Sequence, residues 1–200
     1  SNWAFKDMSE EEFIDELLND QPFIPSYFGY NVDINKKGAE NVQWATHKVD
    51  LKLYIDAVDD SRAKIVDCRD NDKFTNGHLK GSINIMATSE GQKFETWLGS
   101  IIKPGETFYC VIPSVQEYEN MLERIARIGY ENQLKGILTL SENVARQSAH
   151  LDYEDFKENP SNYNIIDVRN RSEVKSDKKF SDSMNLPLHE LRESSETIDF

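Results

Sequence analysis

Cysteine is scarce in this chain of 200 residues: only Cys68 and Cys110 are present, so no disulfide framework can be built. Neither lies in a CxxC pair or a Cys/His cluster at zinc-ligand spacing. Long apolar runs are missing too. No stretch of 18 apolar residues occurs, and the N-terminus lacks the basic region and apolar run of a signal peptide. A soluble cytoplasmic protein is the expectation. Basic residues are outnumbered, 23 against 36 acids, for a net charge of −13. Such a surface repels phosphate backbones and anionic lipid, so neither nucleic acid nor membrane is expected as a partner. GxGxxG, P-loop and Ser/His/Asp arrangements with supporting context are also absent.

What remains is enough for a core. Hydrophobic residues make up 38% of the chain and aromatics 10%, which suits one large domain or two small ones. The first twenty residues hold seven acids and one lysine. Ser9 with Glu12 three positions later has the form of a capping box, and Phe13, Ile14, Leu17 and Leu18 fall on one helical face. That stripe needs a surface to pack on, and a larger domain upstream is one candidate. Glu10, Glu11 and Glu12 are adjacent at an exposed helix start, where negative charge suits the dipole better than acid/base work. Residues 21–42 carry two prolines, two glycines and the aromatics Phe23, Tyr27, Phe28 and Tyr30. Their lack of clean periodicity predicts an ordered, non-regular connector.

From about residue 49 elements alternate. "KVDLKLYIDAV" reads as a helix and "AKIVDCRD" as a buried strand. "KFTNGHLKGSINI" is a turn-rich return into a strand end, and "GQKFETWLGSII" is a helix before a "KPGE" turn. "TFYCVI" is a strand, "SVQEYENMLERIARIGY" a helix ended by Gly129, and "NQLKGIL" a further strand. Alternation of this kind predicts an α/β fold with a parallel sheet covered on both faces.

An internal repeat follows. Ile65-Val66-Asp67-x-Arg69 and Ile165-Ile166-Asp167-x-Arg169 match one hundred positions apart, each leading into an "INI" or "MNLP" segment. The second copy reaches Phe200 without a counterpart of "TFYCVI" and its helix, so a truncated repeat is expected. Its "EVKSDKKFSD" stretch reads as a solvated loop.

These residues resemble the rhodanese-like family. The matching motifs are Asp67-x-Arg69, then Phe74 with Gly77-His78-Leu79-x-Gly81-Ser82-Ile83-Asn84-Ile85. Strand 107–112, helix 115–128 and Arg127-Ile128-Gly129-Tyr130-Glu131-Asn132 complete them. The second copy offers Asp167-x-Arg169, Glu173 and Met184-Asn185-Leu186-Pro187-Leu188, without the Gly-His element. Upstream, "PFIPSYFGYNVDINKKGA" is similar to the connector that follows the metallo-β-lactamase domain in persulfide dioxygenases fused to rhodanese modules.

The resemblance implies residues 1–44 as connector or tail of an upstream metallo-β-lactamase-like domain. Residues 45–140 would be a rhodanese-like domain, and 141–200 a linker plus the first part of a second one. It also implies a parent that handles low-molecular-weight persulfides, with non-haem iron upstream and a terminal cysteine beyond Phe200. The four histidines, His47, His78, His150 and His189, form no HxHxDH run, so no cofactor or metal is expected in this chain. A homo-oligomer is carried among the partners to be tested.

The family's chemistry needs a thiolate that accepts sulfane sulfur, held by a loop of backbone amides with Gly and Arg. Counting back seventeen residues from Gly129 puts the family's nucleophile position at Ile112, so Cys110 is two positions early. Pro113 has no N–H to offer, and Ser114 with Glu117 reads as a capping box that starts the helix at once. Cys110 is the candidate nucleophile, and it reads better as core. Cys68, next to Asp67, is a weaker candidate still. Asp67 and Arg69 read as a charge pair fixing a strand end, and His78 as a brace for its loop. The expected function is a non-catalytic rhodanese-like scaffold. The alternatives are an active thiosulfate sulfurtransferase using Cys110, or a regulatory binding module of the same fold unrelated to sulfur.

Overall fold

The computed structural model describes residues 6–18, 24–39, 41, 49–52, 62–140 and 151–194. They fall into two compact units, Pro25–Leu151 and a second made of Ser1–Ile24 with Asp152–Phe200.

The first unit is built on five parallel strands. In chain order they are β1 (Leu51–Lys52), β2 (Lys64–Asp67), β3 (Ile83–Asn84), β4 (Phe108–Val111) and β5 (Leu134–Leu138), arranged β1-β5-β4-β2-β3. β4 is central. Its Phe-Tyr-Cys-Val sequence is buried at every position, as a strand covered on both faces requires. One face carries Val66, Cys68, Cys110, Ile112 and Ile137 into the larger apolar cluster, and the other carries Tyr109, Val111 and Leu138 into a smaller one around Leu79. The expected α/β sheet flanked by helices is present.

Among the described residues four α-helices accompany these strands, α2 (Tyr27–Lys37), α3 (Asn71–Asn76), α4 (Phe94–Ile101) and α5 (Tyr118–Ala126), and a 3₁₀ turn, Glu131–Gln133, leads into β5. α5 turns Met121, Leu122 and Ile125 inward and stops at Gly129, whose φ of +71° is the left-handed value that ends helices. The "KPGE" turn closes with Glu106 N–H donating to Lys103 O at 3.0 Å, with Gly105 at φ +88°.

Several expectations are corrected. The connector is not irregular, because Tyr27–Lys37 is the helix α2. Tyr27, Tyr30, Asn31 and Ile34 recur at helical spacing and are the residues of α2 withdrawn from solvent. Tyr30 donates to Gly129 O at 3.1 Å and meets Tyr130 edge-on, while the Tyr27 ring lies against Gly99 of α4. Tertiary packing selects the helix despite its glycine.

The start of "KVDLKLYIDAV" is strand rather than helix. Leu51 and Lys52 pair with Ile137 and Leu138, and Tyr118 holds Val49 O through a 2.6 Å bond; residues 53–58 lie outside the described residues. The "KFTNG" stretch contains α3, whose end is capped by Gly77 N–H on Lys73 O and Phe74 O. At Ser114 no side-chain cap forms. Glu117 N–H goes to Ser114 O instead, making a 3₁₀ turn, Val115–Glu117, ahead of α5.

The second unit contains α1 (Glu10–Leu18), α6 (Tyr153–Glu158), β6 (Ile166–Asp167), α7 (Arg171–Ser176) and β7 (Met184–Asn185). The capping box of α1 is formed: Ser9 N–H reaches Glu12 Oε2 at 2.8 Å, and Glu12 N–H reaches Ser9 Oγ at 3.2 Å. β6 and β7 pair in parallel as a two-stranded sheet. Part of "EVKSDKKFSD" is helix, not solvated loop. α7 begins with a capping box between Asn170 and Glu173 and buries Val174.

Candidate functional site

In the first unit the chain leaves β2 towards β3 on one side and β4 towards β5 on the other. That reversal falls at the carboxyl ends of β2 and β4, the place where open parallel sheets bind ligands. Three segments meet there: Cys68–Asp70 after β2, Ile85–Thr88 after β3, and Ile112–Glu117 after β4.

The β2 end is fixed by a fork. Arg69 Nε donates to Asp67 Oδ1 at 2.9 Å and Arg69 Nη2 to Asp67 Oδ2 at 2.7 Å, while the same Nη2 reaches Gly77 O at 2.6 Å. Asn84 Nδ2 donates to the carbonyls of both Asp67 and Arg69 at 2.9 Å. Asp67 is fully buried, so the bidentate partner is what makes a charge tolerable there. The Nε and Nη2 donors are thus spent on the protein's own groups. His78 Nδ1–H donates to Phe74 O at 2.9 Å, and its ring stacks on the Phe74 ring, 4.1 Å between centroids. It braces the loop.

The two thiols lie on one face of the sheet. Cys110 sits opposite Val66 in the β2–β4 register, and its Sγ is 3.0 Å from Cys68 Sγ. Both are free and fully buried. Burial, followed by the contact with Cys110, pushes the Cys68 thiol well above its usual range. A thiol so placed is not a nucleophile at neutral pH.

Ile112, where the sequence count expects the family's nucleophile, is fully buried, its N–H donating to Leu138 O at 2.8 Å. Pro113 follows without a donor, and the next turn ends on Glu117.

One feature of the surroundings escapes the sequence reading. Arg124 of α5 is only 2% exposed and donates to Glu95 Oε1 at 2.8 Å, Glu95 Oε2 at 3.0 Å and Ala87 O at 2.8 Å. It also lies over the Phe94 ring. The pair holds the Glu95 carboxyl below its usual range. Its signal is a lone arginine on the apolar stripe of Met121, Leu122 and Ile125. Among the described residues, no group of three His, Cys, Asp or Glu side chains is placed to hold a metal ion. No helix among them is long and apolar enough to cross a membrane.

Comparison with known proteins agrees with this geometry. Residues 50–135 match the family model of the rhodanese-like domain. Among solved structures, the chain is similar to a metallo-beta-lactamase from Staphylococcus aureus subsp. aureus COL. The identity is 20% and the TM-score 0.50, over 69% of this chain and 37% of that one. Likeness at that identity speaks to fold, and this chain spans little more than a third of the matched structure's length. No curated protein matches.

Proposed function

We propose that this chain is the non-catalytic rhodanese-like scaffold region of a persulfide dioxygenase/sulfurtransferase that detoxifies sulfide-derived persulfides. The observation that carries the reading is the occupant of the crevice. Ile112 fills the nucleophile's place, and the turn after it has neither the amide cradle nor the cation that sulfane sulfur needs. The likeness to a metallo-beta-lactamase structure supports an upstream domain of that class as the partner in the same polypeptide. The iron of the parent is assigned to that domain by the same reading.

The fold and fork that survive without the chemistry suit a body that positions its neighbours. A sulfurtransferase assay tests this directly. With thiosulfate as donor and cyanide as acceptor, the chain forms no thiocyanate above the uncatalysed rate, and Cys110→Ser changes nothing. Thiocyanate formation that disappears in Cys110→Ser overturns the reading in favour of an active enzyme. For the parent, an HxHxDH motif before this region and a cysteine-containing loop after it are expected. A parent with neither makes the chain a binding module unrelated to sulfur.

A further inference from the structure

The chain's two cysteines meet across 42 positions of sequence, and the sheet ladder carries both. In the β2–β4 register Val66 faces Cys110 and Asp67 faces Val111. Cys68 follows β2 directly and alternates with Asp67, so its side chain falls on the same face of the sheet as those of Val66 and Cys110. The two Sγ atoms are 3.0 Å apart, about 1 Å beyond a covalent S–S bond. Cys68 is pinned on both sides, its N–H donating to Val111 O at 2.8 Å and its carbonyl accepting from Ala87 N–H at 3.0 Å. Cys110 is pinned between Val66 of β2 and Ile137 of β5. Both thiols are free, and the fork of Asp67 and Arg69 uses neither.

We propose that Cys68 and Cys110 form a reversible disulfide that locks β2 to β4, set by the thiol/disulfide balance of the medium while the chain folds. The oxidant is a low-molecular-weight disulfide. One protein thiolate attacks its S–S bond, forming a mixed disulfide and releasing a first small thiolate. The other protein thiolate then attacks the mixed disulfide at the protein's sulfur and releases the second. The cysteine pair loses two electrons and two protons, and the oxidant leaves reduced, as two thiols.

Burial gates the exchange. The first attack needs contact with the oxidant, and in the folded chain both cysteines are 0% exposed within the larger apolar cluster. Exchange therefore passes through an opening of β2 from β4, and the folded chain keeps the state in which it closed. The disulfide closes a ring around α3, β3 and α4, which restricts the unfolded chain and raises stability. The redox state met during folding is thus converted into resistance to unfolding. This inference rests on the two central strands alone and is independent of the sulfur reading.

A redox experiment on the full chain tests it. The reduced chain is incubated with oxidised and reduced glutathione at graded urea, and its state is read by intact mass and by mapping of linked peptides. Without urea it stays reduced for at least about 100 times longer than at its unfolding midpoint. At the midpoint a species lighter by about 2 Da accumulates, with Cys68 linked to Cys110. That species unfolds at a urea concentration at least about 1 M above the midpoint of the reduced chain. Cys68→Ala and Cys110→Ala give only mixed disulfides with glutathione, and oxidation does not raise their midpoints. Mixed disulfides or linked dimers in place of the 2 Da loss in the parent chain overturn the pairing. A midpoint unmoved or lowered by the disulfide overturns the lock. Oxidation as fast without urea as at the midpoint overturns the gate.

Discussion

The docking of α2 onto the sheet unit makes a prediction whose sign depends on one contact. Gly99 lies inside α4, and a Cβ added there would sit 2.2 Å from Tyr27 Cδ1 and 2.5 Å from Tyr27 Cγ. Ordinary contact begins near 3.4 Å, so the ring, or α2 with it, must retreat by about 1.2 Å. Helix propensity pulls the other way: alanine in a helix interior is favoured over glycine by about 0.8–1 kcal/mol. Overpacking a filled site costs about 1–3 kcal/mol, so the clash wins and Gly99→Ala destabilises the unit by about 1 kcal/mol. Removing the ring reverses the balance. In a Tyr27→Ala background the ring that causes the clash is gone, and the same substitution becomes stabilising by somewhat under about 1 kcal/mol.

The assay is urea unfolding by far-ultraviolet circular dichroism on the four members of this double-mutant cycle. The expected coupling between the two sites is about 2 kcal/mol, far above the roughly 0.5 kcal/mol seen for independent sites. If Gly99→Ala stabilises both backgrounds equally, Tyr27 is not packed on α4, and the assignment of α2 to this unit is wrong.

Four further outcomes are expected. Arg69→Ala strands the buried Asp67 carboxylate and lowers stability by about 3–5 kcal/mol, checked by the same unfolding measurement. Glu95 has its carboxyl pKa held down by Arg124, so its contribution is present above the ordinary carboxylate range and is lost as pH falls through the lowered value. Glu95→Gln therefore shows a shallower loss of stability on the acid side, read from unfolding midpoints between neutral pH and pH of about 3. Intact-mass analysis after iodoacetamide treatment shows neither Cys68 nor Cys110 alkylated in the native chain and both alkylated in denaturant, because both are fully buried. Ile112→Cys, which puts a thiol at the expected register, forms no thiocyanate from thiosulfate and cyanide, since Pro113 and Glu117 still deny it a cradle.

The elements that the sequence made legible are those whose causes are local. β4 announces itself as a short, wholly apolar run, α5 by its stripe and Gly129, and α1 by Ser9 and Glu12. The misread elements depend on partners far along the chain. β1 is a strand because Leu51 meets Ile137, and α2 is a helix because Tyr27 and Tyr30 find α4 and Gly129. The Ser114 capping box failed for a related reason. Its residues allow the cap, but the chain leaving β4 enters α5 through a 3₁₀ turn that leaves the side chain out. At the site, the displacement of Cys110 from the nucleophile's place came from counting to Gly129. Its contact with Cys68 could not, because it depends on the register of two strands 42 residues apart.

The Asp-x-Arg motif shows why a constellation can persist where no catalysis is visible. Its bonds are the same in both copies of the repeat, Arg69 with Asp67 and Gly77 O, and Arg169 with Asp167 and Asp177 O. In each, the guanidinium ties the strand end to the carbonyl that follows a short helix, and the asparagine of the next strand locks the turn. A motif that served only a ligand would have no reason to close in this way on the protein's own carboxylate and backbone, twice over. The fork thus acts as a folding device that ties a strand end to the turn after a short helix.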